Sequence, residues 1–378
     1  MAGSIKIGSL FGIPVLLHWS FLLAIPLFAW IIGTDIAYSS SFVFDIFGVT
    51  APNTTLIMEG WNPYILGAIV ALALFFCVLV HELAHCVVAR RRGIQINSIT
   101  LLILGGVSSI ENEIPEPRDE LPMSLAGPLT SAGLGILSWV VVDAGVPLIT
   151  SAPVAGVITF LFGYLALLNM ILFVFNLLPA FPMDGGRVLR AWLAKRMPLP
   201  RATKIAADVG KVFAFLFVIF GVITLNFILV IIGIFIYLGA DQEFFALRST
   251  VLLRDVAVAD VMSTSLITVP PAMSVPDVIR LMYTTKHLGF PVVEGGILTG
   301  MVTLEDVHRV SEIDRDAMQV KDIMARNLIT LPPTAMLSEA FRLMSRYNVG
   351  RIPIVREGSI LGIVTRTDIL KVMELREI

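Results

Sequence analysis

Residues 81–85 read His-Glu-Leu-Ala-His. On a helix, positions four apart share a face, so His81 and His85 can grip one metal ion. Glu82 is then turned about 100° around that helix and can reach a water at the metal, as a general base must. With five histidines in 378 residues, the pattern arises by chance with a probability of about 0.005. It lies in an apolar run, where ionisable side chains are costly and functional by default. A catalytic zinc takes three protein ligands and keeps one open position. Asp184 is the candidate third ligand, in Asn176-Leu-Leu-Pro179-Ala-Phe-Pro182-Met-Asp184-Gly185-Gly186-Arg187. Its prolines and glycines make an irregular backbone suited to holding a carboxylate opposite the histidines. The plainer alternative for Asp184 is the N-cap of a helix starting at Gly185. Cys77 lies on the same stripe, but about 12 Å along the axis from His85, too far for zinc bonds of about 2.0–2.3 Å. It is read as core packing. His18 is read either as a second neighbour of the metal site or as a side chain bonded to a nearby carbonyl.

These groups need a frame, and the composition says of what kind. Hydrophobic residues make up 56% of the chain and charged residues 15%, against about a quarter charged in soluble domains. That excludes a wholly soluble protein and a disordered one. Residues 1–250 hold 27 charged side chains and residues 251–378 hold 29, which reads as a membrane body followed by a soluble domain. The net charge of −2 gives no footprint for nucleic acid. The two cysteines, Cys77 and Cys86, share one apolar run, so no disulfide framework is expected.

Six segments approach the ~20 residues that span a bilayer: 13–33, 63–89, 121–143, 154–178, 209–226 and 227–247. The connections at 34–62, 144–153 and near Asn226 contain no Lys or Arg. All thirteen of these cations in the first 250 residues fall on the other side, at Lys6, Arg90–Arg92, Arg118, within 187–211 and at Arg248. The positive-inside rule then places both termini in the cytoplasm of a multi-pass cell-membrane protein. His81 precedes Arg90 by nine residues, about 13 Å, so the metal site is expected near the cytoplasmic side. Ile94–Ile110 is apolar, β-branched and carries Gly105–Gly106. It is expected to be a strand or hairpin at the membrane, or else a cytoplasmic surface strand.

The tail repeats itself. Residues 260–307 align with 322–369 without a gap, with 17 identities in 48 positions. DVMSTSLITVPP matches DIMARNLITLPP, and Gly300-Met-Val-Thr303-x-x-Asp306 matches Gly362-Ile-Val-Thr365-x-x-Asp368. Each copy reads strand, helix, strand, strand, helix, two units that bury one face together. Each copy resembles a cystathionine-beta-synthase-type (CBS) repeat. The resemblance implies a regulatory pair, a homodimer formed through it, and an adenine nucleotide (ATP, ADP or AMP) in its cleft. It places Thr303, Asp306, Thr365 and Asp368 near phosphate and ribose, and Thr268 and Thr330 beside the base. The local alternative is that each Thr-x-x-Asp merely caps the following helix. The first copy departs from the second, with Gly289-Phe-Pro291 against Gly350-Arg-Ile-Pro353.

The body, over about residues 10–248, resembles the site-2 protease family of intramembrane zinc metalloproteases. The resemblance makes His81, His85 and Asp184 the ligands of one Zn2+ per chain, Glu82 catalytic and Asn176 substrate-binding. Ala126-Gly127-Pro128 and Gly105-Gly106 look like family features, with the glycine pair assigned to substrate. Ser131 stands where many members carry Asn, and no role follows for it. The expected fold is a polytopic α-helical membrane protein of six transmembrane helices with a short membrane-associated β element, plus a soluble α/β CBS pair. The expected domains are 1–250 and 251–378, with repeats at about 255–312 and 317–375. The expected activity is hydrolysis of a peptide bond in or near a transmembrane segment of a protein substrate. A CBS-gated transporter or channel is the alternative, and it leaves His-Glu-x-x-His with Asp184 unexplained.

Overall fold

The computed structural model describes residues 3–50, 52–102, 105–110 and 116–376. The chain divides into two compact units, Met1–Phe245 and Ala246–Ile378.

The first unit opens with an antiparallel hairpin, β1 (Ser4–Leu10) and β2 (Ile13–His18), turned at Phe11 and Gly12 with φ of 51° and 78°. Strand β2 runs parallel to β3 (Ile96–Leu102), which forms a second hairpin with β4 (Gly105–Ile110). The sheet order is β1-β2-β3-β4. Within the apolar run, Ile96–Leu102 and Gly105–Ile110 thus form an antiparallel pair, as the β-branched residues predict; residues 103 and 104 lie outside the described residues.

The expected first span at 13–33 is corrected. Helix α1 (Trp19–Thr34) starts only at Trp19, because β2 is held on both sides by strands. Ile13 and Val15 alternate inward, and Ile13 packs on Cys86 and Ile99. His18 caps α1: its Nδ1 accepts from the Ser20 amide at 3.3 Å and pairs with Ser20 Oγ at 2.8 Å. That is a local role, with the bond made to the first turn of α1 rather than to a carbonyl.

Helix α1 bends by 75° into α2 (Ile36–Ile46), and α3 (Thr55–Met58) follows. Then come α4 (Asn62–Arg91), α5 (Pro117–Val140), α6 (Ala152–Asn176), α7 (Asp184–Leu193), α8 (Leu199–Ile223) and α9 (Phe227–Leu253). A π-turn and a 3-10 turn extend α5 to Leu148. Helix α8 begins earlier than the expected 209, where Pro200 suits a first turn. Among the described residues five helices are long and apolar enough to cross a membrane, or six if the bent α1–α2 pair is one span. Leu22, Leu23, Phe215, Phe220, Ile228 and Ile231 are exposed apolar side chains on these helices. A lipid phase would cover them; water would not.

The second unit holds α10 (Val275–Thr285), β5 (Gly289–Glu294), β6 (Ile297–Thr303), α11 (Leu304–His308), α12 (Val320–Ile323), α13 (Leu337–Tyr347), β7 (Arg351–Arg356), β8 (Ser359–Thr365) and α14 (Arg366–Leu375). Its sheet order is β5-β6-β8-β7. The two copies exchange their leading segments. The Val258 amide donates to Ala335 O at 2.8 Å and the Leu337 amide to Val256 O at 2.8 Å. Correspondingly, Val275 donates to Met318 O and Val320 to Met273 O. Leu253, Val256 and Val258 therefore belong to the core of the second copy, and Val320 to that of the first.

Candidate metal centre

The sequence 62–91 forms one unbroken α4 because it holds no proline beyond its first turn and ends on Arg90 and Arg91. His81 and His85 sit one turn apart near its C-terminal end, their rings 4.8 Å apart and steeply inclined. Asp184 is the first residue of α7, and the N-cap is Met183. The alternative in which Asp184 is the N-cap of this helix does not hold: its carboxylate turns to the imidazoles. Asp184 Oδ2 lies 3.3 Å from His81 Nε2 and 3.1 Å from His85 Nε2, and the two Nε2 atoms are 3.1 Å apart.

The far nitrogens are also engaged. His85 Nδ1 is 2.7 Å from Met123 O, and His81 Nδ1 is 2.8 Å from Ser131 Oγ. A carbonyl can only accept, so His85 Nδ1 carries a proton and a neutral His85 turns the lone pair of Nε2 to Asp184. The Ser131 hydroxyl can accept from His81 Nδ1 in the same way. In that tautomer of both rings, two imidazole lone pairs and a carboxylate oxygen converge at 3.1–3.3 Å. Such a set repels itself unless a cation lies among the three atoms. Tetrahedral bonds of about 2.05 Å put ligand atoms about 3.3 Å apart, which this triangle matches.

Helix α5 leaves the space that the ion requires. A Cβ built on Gly127 would fall 2.5 Å from His81 Nε2 and 2.6 Å from His85 Cε1. Met123, Gly127 and Ser131 are spaced by four, so one face of α5 supplies an acceptor for His85, room for an ion and a partner for His81. The sequence reading gave no role to Gly127 or Ser131. The signal was present as a four-residue spacing of small side chains in an apolar helix.

Glu82 reaches toward β4: a Cβ on Gly106 would lie 3.0 Å from Glu82 Cδ and 3.2 Å from Oε1. Gly106 and the general-base candidate are therefore in direct apposition, with Gly105 beside them at the start of β4. Asn176 ends α6, its Nδ2 donating to Leu172 O at 2.9 Å. Cys77 is buried and is not among the donors that converge. Arg187, one turn beyond Asp184, is half-buried, which disfavours its charge. The carboxylates of Glu243, Asp184, Glu120 and Glu82 outweigh that burial and hold its pKa above the usual arginine value.

The other residues singled out lie in the second unit. Thr303 and Asp306 form a capping box on α11, with Oγ1–Oδ2 at 2.6 Å, and Thr365 and Asp368 form one on α14 at 2.7 Å. Both Thr-x-x-Asp motifs thus cap the helix that follows them. Thr268 and Thr330 are exposed at equivalent positions, each just before a residue bridged in parallel to β5 or β7. Arg351 stands where the first copy has Gly289 and donates to its carbonyl at 2.8 Å. Burial pushes the Arg351 pKa down.

A profile of peptidase family M50 matches residues 69–152 and 146–219, and CBS-domain profiles match 258–312 and 320–375. A zinc metalloprotease of Methanocaldococcus jannaschii is 33% identical over 381 residues, covering 99% of this chain and 97% of the relative. The chain belongs to the site-2 protease family, peptidase family M50. Rip3 of Mycobacterium tuberculosis, which carries a zinc-metalloprotease name, is 31% identical over 99% of this chain and 94% of its own length. A solved site-2 protease from Methanocaldococcus jannaschii is 37% identical, with a TM-score of 0.43, over 64% of this chain and 95% of that one. The protein is a zinc metalloprotease with a CBS pair, and the transporter reading is set aside. Members of this family are membrane proteins.

Proposed function

We propose that the chain is an intramembrane zinc endopeptidase that cuts a membrane-spanning protein near the cytoplasmic face. His81, His85 and Asp184 hold the zinc. The observation that carries this reading is the convergence of three lone-pair donors at 3.1–3.3 Å, with both imidazoles anchored through Nδ1. Zinc at this position polarises the scissile carbonyl and acidifies a water.

The chain's own residues do the rest. Glu82 takes the proton of the attacking water and returns it to the leaving amine. Its apposition to Gly106 puts that proton transfer beside β4. A transmembrane helix has its carbonyls locked in helical bonds and must unwind before attack. Strand β4 pairs with β3 on one side, and among the described residues its other edge is unpaired. An unwound substrate segment added there regains backbone hydrogen bonds. Gly105 and Gly106 let that segment come close to Glu82, and Asn176 contributes to holding it. The six-span topology, with both termini cytoplasmic, follows from the clustering of Lys and Arg.

We assign the CBS pair a regulatory role, with an adenine nucleotide against Thr268, Thr303, Asp306, Thr330, Thr365 and Asp368 and with pairing to a second copy. Asp306 and Asp368 each spend Oδ2 on their own helix cap, so ribose recognition falls to the other oxygen.

The decisive experiment reconstitutes the full chain in liposomes with a single-span reporter protein. Glu82→Gln is expected to keep one zinc per chain and lose cleavage by at least about 100-fold. Cleavage by Glu82→Gln at the wild-type rate overturns the reading. ATP, ADP and AMP are added in parallel, and no change in cleavage or melting with any of them removes the nucleotide assignment.

A further inference from the structure

Four charged side chains lie buried or half-buried behind Asp184, and the reaction as described does not use them. Arg190 is 3% exposed and Glu120 is fully buried. Arg190 Nε donates to Glu120 Oε1 at 2.9 Å, and Arg190 Nη2 makes a second, shorter bond to the same oxygen. Arg190 Nη1 also faces Glu243 Oε2 at 3.6 Å, while Arg187 Nη2 donates to Glu243 Oε1 at 2.8 Å. The Arg190 guanidinium lies over the Phe181 ring, 5.0 Å from its centroid. One side chain therefore ties together four pieces of the protein. These are the turn before Asp184 through Phe181, α7 itself, α5 through Glu120 and α9 through Glu243.

Burying such a cluster is expensive, and apolar side chains of the same size would hold the helices as well. Its retention in an apolar body calls for a role in geometry. The geometry at stake is that of Asp184. His81 and His85 are fixed to each other by one helix, whereas Asp184 comes from a separate short helix after an irregular turn. Glycines 185 and 186 let that turn fold back: a Cβ on Gly186 would fall 2.6 Å from the Phe181 amide nitrogen. Glu120 lies on α5 one turn before Ser124 and two before Gly127, on the helix that also anchors both imidazoles. The bond from Arg190 to Glu120 thus references Asp184 to the element that already orients the histidines.

We propose that Arg190, held between Glu120 and Glu243, is a positioning residue that sets the Asp184 carboxylate against the two imidazoles and so tunes zinc affinity. The inference rests on the assignment of His81, His85 and Asp184 as the zinc ligands. Groups that orient metal ligands change affinity by about 10–100-fold when removed. Lysine cannot replace Arg190, because an ammonium lacks the planar fork that serves two carboxylates at once.

The test uses the purified full chain in detergent. Zinc affinity is read by competition with a chromogenic chelator, and ligand geometry by the visible absorption of the cobalt-substituted protein. Thermal melting of the metal-free form reports folding. Arg190→Gln is expected to weaken zinc binding by about 10–100-fold and to alter the cobalt spectrum, with Arg190→Lys only partly restoring both. Glu243→Gln, at a partly exposed site, is expected to fold and to shift both in the same direction by less. Asp184→Ala is run alongside. Unchanged zinc affinity in Asp184→Ala overturns the ligand assignment itself. Loss in Asp184→Ala with unchanged affinity and spectrum in Glu243→Gln and in folded Arg190→Gln overturns the positioning role alone. A fall in melting temperature with unchanged affinity in the folded fraction also overturns it. If Arg190→Gln does not fold, Glu243→Gln decides.

Discussion

Replacing Gly127 by alanine should empty the metal site while leaving α5 intact. The added Cβ would lie 2.5 Å from His81 Nε2 and closer still to His85 Nε2. Ordinary contact begins near 3.4 Å, so His81 must retreat by about 0.9 Å and His85 by more, several times the ~0.2 Å that metal–ligand distances tolerate. Neither ring can simply turn away, since Met123 O and Ser131 Oγ hold the Nδ1 atoms. Losing proper bonds from one or both imidazoles should cost at least about 100-fold in zinc affinity, or about 2.7 kcal/mol. Overpacking should add about 1–3 kcal/mol of instability. Gly133, on the same helix with nothing within 4 Å of a built Cβ, is the matched control. Gly133→Ala should bind zinc normally and gain up to about 1 kcal/mol from helix propensity. The assay is zinc per chain by elemental analysis after dialysis against a graded chelator, with reporter cleavage in the same samples. Stoichiometric zinc and wild-type cleavage in Gly127→Ala would refute the geometric argument.

Ser131→Ala removes the hydroxyl that pairs with His81 Nδ1 at almost unchanged volume; zinc affinity should fall by about 10–100-fold, measurable by chelator competition. Gly106→Val should push Glu82 aside, abolishing cleavage with zinc content unchanged, so elemental analysis and the reporter assay must diverge. A fragment holding only the first CBS copy, 255–312, lacks Val320 and the 318–320 segment that complete its core; it should show no cooperative thermal transition by circular dichroism, whereas 246–378 should.

The chemistry of the site was legible in the sequence because it depends on residue type and local spacing. His81, Glu82 and His85 fall within five residues, and helical periodicity alone puts the two imidazoles together. The tandem tail was equally legible, since a repeat needs only alignment. Two things were misread or unseen, each for a non-local reason. Ile13–His18 is as apolar as the helix that follows, and nothing in its composition separates them. It is a strand because β1 and β3 flank it, and β3 lies some 80 residues away in sequence. The exchange of leading segments between the CBS copies is likewise invisible to alignment, because pairing across copies leaves the repeat pattern unaltered.

Sequence, then, determined which atoms are able to bind a metal and move a proton, and that most of the first 250 residues are apolar enough for a membrane. Only the tertiary structure decided how close the Asp184 carboxylate comes to the imidazoles, what orients each ring and what keeps the space between them open. Asp184 meets His85 across 99 positions of chain, and Gly127 matters solely for the side chain it does not have. Helical spacing places groups along one element, but the distance between elements is set by packing, and a metal site needs that distance correct to a few tenths of an ångström.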